Sequence, residues 1–178
     1  MDITLIISGG ILLGCLISLS WFAGSDAPYV PTKMEKIKKI LKLAGVKKGK
    51  KFYELGSGDG RVVFEAVKLG AESCGIEQSW IRVLWSRWQA KKQNLPNTHL
   101  YHGDIFNPSF WHHRSHRNNI LITDADVIYI YLLQKAVNKL EEKLTKELKE
   151  NSTVITQTYH FQNLKPIKKF DNFWIYQV

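Results

Sequence analysis

Residues 54–61 read Glu-Leu-Gly-Ser-Gly-Asp-Gly-Arg, and their types and spacing suit a turn that wraps a nucleotide-like ligand. Gly56, Gly58 and Gly60 lack a Cβ, so the main chain can take left-handed angles there and approach a ligand closely. A dinucleotide fingerprint, G-x-G-x-x-G, aims helix N-terminal amides at a pyrophosphate. Here the third glycine comes one residue earlier, and Glu54 stands just before the turn. A carboxylate at that point suits a cationic amino group better than a diphosphate. No Gly-Lys-Ser/Thr follows, which excludes a P-loop. Ser57, Asp59 and Arg61 complete the turn.

Two more acids follow at telling intervals. Glu77, with Gln78 beside it, ends the next predicted strand about 20 residues on, where a carboxylate can hold both ribose hydroxyls. Asp104 follows the third predicted strand in His-Gly-Asp-Ile-Phe, placed to accept from an adenine amino group with Ile105 against the ring. One acid alone is an ordinary surface residue. Three, each after a successive strand, point to a nucleoside that carries an amino-acid tail.

On these residues the chain resembles the class I S-adenosylmethionine (SAM)-dependent methyltransferases, from about Tyr29 to the C-terminus. The resemblance implies that Glu54 to Gly60 bind the methionine part of SAM, Glu77 the ribose and Asp104 the adenine. A narrower likeness rests on an apolar first segment, Pro-Tyr-Val-Pro-Thr, Gly-Ile-Glu at 75–77 and Tyr-Leu-Leu at 131–133. These are similar to the small membrane-anchored protein-lysine methyltransferases related to the ATP synthase c-subunit enzyme. That family has proline where this chain has Gln134. The likeness implies a lysine acceptor on a membrane-associated protein. Methyl transfer needs in-line positioning and a neutral amine, so a polar aromatic lining matters more than a strong base. Tyr131, near the end of the fourth predicted strand, is the first candidate to line the acceptor channel, ahead of Tyr129 and Asp126. Tyr29 and Thr32 are candidates to fold over the cofactor. The competing functions are a methyltransferase for a small lipophilic molecule or for RNA, and a non-catalytic SAM-binding scaffold.

The elements that must hold these residues alternate. Strands are predicted over 51–55, 73–77, 98–102, 126–132 and 153–159, with helices over 60–69, 79–93 and 134–150 and a closing strand or hairpin from 167. That order predicts an α/β fold, a Rossmann-like sheet with helices on both faces. A helix from Met34 to Ala44 precedes it, with Thr32 as N-cap and Glu35 as capping-box partner. The predicted organisation is an anchor over 1–24, a linker and helix over 25–45, and a methyltransferase domain over 46–178.

Residues 3–22 hold no charge, and ~20 helical residues match a hydrocarbon core of ~30 Å. The nearest lysines, Lys33, Lys36, Lys38 and Lys39, follow that run. The expectation is a single uncleaved transmembrane helix in contact with lipid through residues 3–22, and a catalytic domain on the cytoplasmic side.

The formal charge of +9 favours polyanions, anionic surfaces or acidic partners, and 44% hydrophobic residues exclude global disorder. Trp111, His112, His113, Arg114, His116 and Arg117 suggest a solvated or headgroup-facing basic loop. No acid or cysteine there completes a metal site, so no metal is expected. Trp80, Trp85 and Trp88 are expected to pack their helix, although Arg82, Arg87, Lys91 and Lys92 beside them keep nucleic acid as a lesser possibility. The two cysteines, Cys15 and Cys74, are read as reduced thiols.

Overall fold

A computed structural model describes residues 3–22, 32–112 and 121–178, the side chains of 17–22 and 112 excepted. Its helices are α1 (Ile3–Phe22), α2 (Met34–Leu43), α3 (Arg61–Lys68), α4 (Trp80–Lys92), α5 (Ser109–His112) and α6 (Gln134–Glu147). Its strands are β1 (Lys51–Leu55), β2 (Glu72–Glu77), β3 (Thr98–His102), β4 (Val127–Ile130), β5 (Thr153–Gln157), β6 (Lys168–Phe170) and β7 (Phe173–Gln177). One sheet holds all seven strands in the order β3-β2-β1-β4-β5-β7-β6. The strands β1 to β5 are parallel, and β7 joins β5 antiparallel and turns back into β6. The tail is thus a hairpin, and the sheet is mixed. The strand order reverses beside β1, between β2 and β4, which is where open α/β sheets bind ligands.

Residue alternation sorts the core into two faces. Phe52, Val127, Tyr129, Ile155 and Ile175 face α2 and α3, packing with Ile37, Ile40, Leu41, Val62 and Ala66. Ile37, Ile40 and Leu41 sit at helical spacing and are fully buried, worth roughly 1.5–3 kcal/mol each. On the other face Tyr53, Leu55, Ile128, Ile130, Val154 and Tyr176 pack against α6 through Val137, Leu140 and Leu144. Glu141 lies on the same helix and is buried because its carboxylate accepts the amides of Gln162, Asn163 and Leu164 at 2.7–2.9 Å. It pins the loop that follows β5.

Several expectations are corrected. Thr32 does not cap α2. The N-cap position is Lys33, with no side-chain capping bond, and the Thr32 hydroxyl turns to Gln157 instead. Trp111 is fully buried, with its indole N–H donating to Ile105 O at 2.8 Å, because α5 folds this part of the loop onto the core. His113, Arg114, His116 and Arg117 lie outside the described residues. Trp80, Trp85 and Trp88 are exposed, because α4 buries its opposite stripe, Arg82, Val83, Ser86 and Ala90.

The membrane expectation is corrected too. Among the described residues no helix is long and apolar enough to cross a membrane. The single-pass topology, the lipid contact through residues 3–22 and the cytoplasm-facing placement built on that span fall with it.

The outer edge of the sheet at β3 is closed by its own helix. The register leaves the Leu100 carbonyl facing away from β2, and the Arg87 guanidinium of α4 caps it through Nε at 2.9 Å and Nη2 at 2.6 Å.

Candidate active site

The glycine turn sits at the carboxyl ends of β1, β2 and β4. Gly56, Gly58 and Gly60 all have positive φ, at 86°, 53° and 82°. At Gly56 a Cβ would lie 2.8 Å from the Leu132 side chain, and at Gly60 2.8 Å from the Phe64 ring. The turn therefore needs glycine for conformation and for space. Gly75 in β2 serves it from below, since a Cβ there would lie 2.7 Å from the Ser57 side chain.

The amides of the turn are already engaged. Gly56 and Ser57 donate to Ile76 O at 2.9 and 3.0 Å, Gly60 donates to Ser57 O at 2.8 Å, and Gly58 donates to Glu77 Oε2 at 2.9 Å. Such a turn does not cradle a diphosphate, which needs those N–H groups turned outward. Arg61 pairs with Asp59, Nη2 to Oδ2 at 2.6 Å, and fixes the entry to α3.

Glu54 is the most unusual group here. It is 6% exposed, and its Oε2 is buried with no hydrogen-bond partner. Burial first, then the nearby Asp59 carboxylate, push its carboxyl well above the usual range. A buried carboxylate oxygen without a partner calls for a cation. An α-ammonium group fits that demand, and a phosphate does not.

Glu77 does more than its position at the strand end suggests. Oε1 accepts the Ser79 amide at 2.9 Å while Oε2 accepts that of Gly58, and the buried Arg82 guanidinium lies 3.7 Å from Oε1. Its remaining lone pairs are available to further donors. Arg82 is hard to pick out from the sequence as a site residue because it sits among tryptophans. Its one signal is its place on the inward stripe of α4.

Asp104 is exposed, with Oδ1 accepting the Phe106 amide at 2.9 Å, while Ile105 is buried in the core. Gln78 is exposed at the rim. Tyr131 is half-buried, just past the carboxyl end of β4. Tyr129 is 1% exposed, its phenol held protonated by burial and by the Glu54 charge, so it forms part of the wall. Asp126 is removed from the acceptor side. It lies at the amino end of β4, at the opposite side of the sheet, accepting the Lys51 amide at 2.8 Å. Burial alone would raise its carboxyl, but that amide and the Lys149 and Lys50 ammonium groups outweigh it and hold the pKa below the usual value. Tyr29 lies outside the described residues. Gln134 bridges the exits of β4 and β5 through its amide N–H to His160 O at 2.9 Å.

This sheet, with a glycine turn and an acid at the carboxyl end of each of its first three strands, is that of a class I SAM-dependent methyltransferase. The solved RNA methyltransferase from Salinibacter ruber, in complex with S-adenosyl-L-homocysteine, superposes with a TM-score of 0.71 at 28% identity, covering 83% of this chain and 91% of that one. The model of the ANTKMT methyltransferase domain matches residues 54–168, and the chain belongs to that family. Among its relatives is the ATP synthase c-subunit lysine N-methyltransferase of Xenopus laevis, 30% identical over 85% of this chain and 63% of the relative. Another is a protein-lysine N-methyltransferase of Saccharolobus islandicus, 26% identical over 78% of this chain and 81% of the relative. The chain thus spans less than two thirds of the length of the Xenopus enzyme.

Proposed function

We propose that this chain is a SAM-dependent protein-lysine N-methyltransferase. The observation that carries the reading is the unpartnered buried oxygen of Glu54 beside a glycine turn whose amides are engaged elsewhere. SAM supplies a methyl group made electrophilic by its sulfonium. Glu54 to Arg61 hold the methionine end, with the Glu54 carboxylate against the ammonium group. Glu77 and Gln78 hold the ribose, and Asp104 and Ile105 hold the adenine. Tyr131 lines the acceptor channel, and Thr32 borders the methyl-transfer centre. No base is needed at full strength, because the residues have only to admit a neutral amine and exclude water.

The family and the relatives' names support a lysine on a protein acceptor, and the ATP synthase c-subunit is the first acceptor to test. The Salinibacter relative and the +9 charge support RNA as a second reading. Tritiated SAM offered to the isolated c-subunit, to total RNA and to lipid extract separates these. Label in lysine of the protein is the expected result. Label confined to RNA or lipid would replace the lysine reading, and SAM binding without transfer to any fraction would leave a scaffold.

A further inference from the structure

Gln157 ends β5 with 3% of its surface exposed, on the sheet face that α2 covers. Register pairs Tyr129 with Ile155 and Ile130 with Thr156, so one step further Tyr131 and Gln157 stand together at the carboxyl ends of β4 and β5. The Gln157 amide joins two elements. Oε1 accepts the Tyr129 phenol O–H, and Nε2 donates to Thr32 Oγ1 at 2.7 Å. The Thr32 hydroxyl also lies 2.9 Å from Oε1.

A primary amide is the side chain this place requires. It faces a donor on one side and a hydroxyl on the other, and offers an acceptor and a donor to match. Thr32 has no capping role for α2, so its tie to the sheet is what fixes the chain just before that helix. That tie spans 125 residues of sequence.

We infer that Gln157 is a positioning residue for methyl transfer: its amide fixes Thr32 against Tyr129 beside Tyr131, and so sets the wall along which the acceptor amine reaches the methyl group. The inference rests on the methyltransferase reading above. Gln157 acts through Thr32 and Tyr129, while Glu54 lies two strands away on β1, at the cofactor end of the site.

The test has one arm that needs no acceptor. Trypsin cuts after Lys33, the residue next to Thr32. In the full chain Gln157→Leu and Thr32→Val should each speed cleavage of the Lys33–Met34 bond about 5- to 10-fold, the worth of one lost hydrogen bond. The double variant should be no faster than either single one, and Thr32→Ser should cleave like the parent. Unchanged cleavage in Thr32→Val, which removes only a half-buried hydroxyl and leaves the core intact, overturns the latch. So does an additive effect in the double variant. In the second arm, transfer to the ATP synthase c-subunit by Gln157→Leu should lose kcat about 10-fold while KM for SAM stays within about twofold. Loss through the SAM KM alone overturns the positioning role. If the parent chain transfers no methyl to protein lysine, the functional reading fails, and the cleavage arm still decides the latch.

Discussion

Glu77 holds Gly58 across 19 residues, its Oε2 accepting the Gly58 amide at 2.9 Å. The acid that ends β2 therefore shapes the turn that follows β1, and the ribose end and the methionine end of the site are one mechanical unit. Arg82, buried against the same carboxylate, makes that unit dependent on charge.

Glu77→Ala takes a carboxylate from the buried Arg82 and the acceptor from two backbone N–H groups. Breaking such a buried pair costs about 3–5 kcal/mol, or roughly 6–15 °C in Tm for a chain of this size. Adding Arg82→Met should recover part of the loss, because it removes a buried charge that has lost the Glu77 carboxylate. Thermal unfolding of the three variants checks this; a Glu77→Ala protein as stable as the parent would show the clamp to be idle.

Glu54 should make cofactor affinity depend on pH. Its carboxyl is raised by burial and by Asp59, so at a pH below its free-protein value binding an ammonium group must expel a proton. Affinity for SAM then tightens as pH rises, and levels off once the free carboxyl is ionised. Calorimetry over a series of pH values, in buffers of different ionisation heat, reads both the slope and the proton. Glu54→Gln should flatten the profile and weaken binding about 10- to 100-fold.

Gly75→Ala tests the support beneath the turn. Its Cβ would meet Ser57 at 2.7 Å and Val63 at 2.9 Å, an overpacking worth about 1–3 kcal/mol. SAM affinity should fall with the secondary structure unchanged by circular dichroism. Ser57→Gly in the same chain should restore part of it.

Glu141→Ala leaves the amides of Gln162, Asn163 and Leu164 without their acceptor. A loss of about 2–4 kcal/mol is expected, with faster hydrogen exchange at those three amides than elsewhere in the loop. Uniform exchange would argue that the loop is held by other contacts.

The turn, its acids and the strands beneath them were legible in the sequence because their signals are local: glycine spacing, alternation and charge at strand ends. Residue pairs joined only by the fold were not. Thr32 reads as a helix cap until Gln157 is brought to it. Trp111 reads as surface because its neighbours are histidine and arginine, yet one short helix turns it inward. The tryptophans of α4 read as packing because of their size, and the helix instead buries its small residues, Ser86 and Ala90, where it passes near the turn. Residues 3–22 mislead in another way, since lack of charge over a stretch measures composition and leaves its surroundings undecided.

The cap that Arg87 places on Leu100 has a consequence for how copies of this protein meet in solution. A bare outer strand is a template on which another chain can lengthen the sheet. With the outward carbonyl of Leu100 already taken by a guanidinium, β3 offers an incoming strand a broken ladder and a positive charge. Removing the Arg87 side chain should therefore be seen first in the yield of monodisperse protein, before any change in turnover.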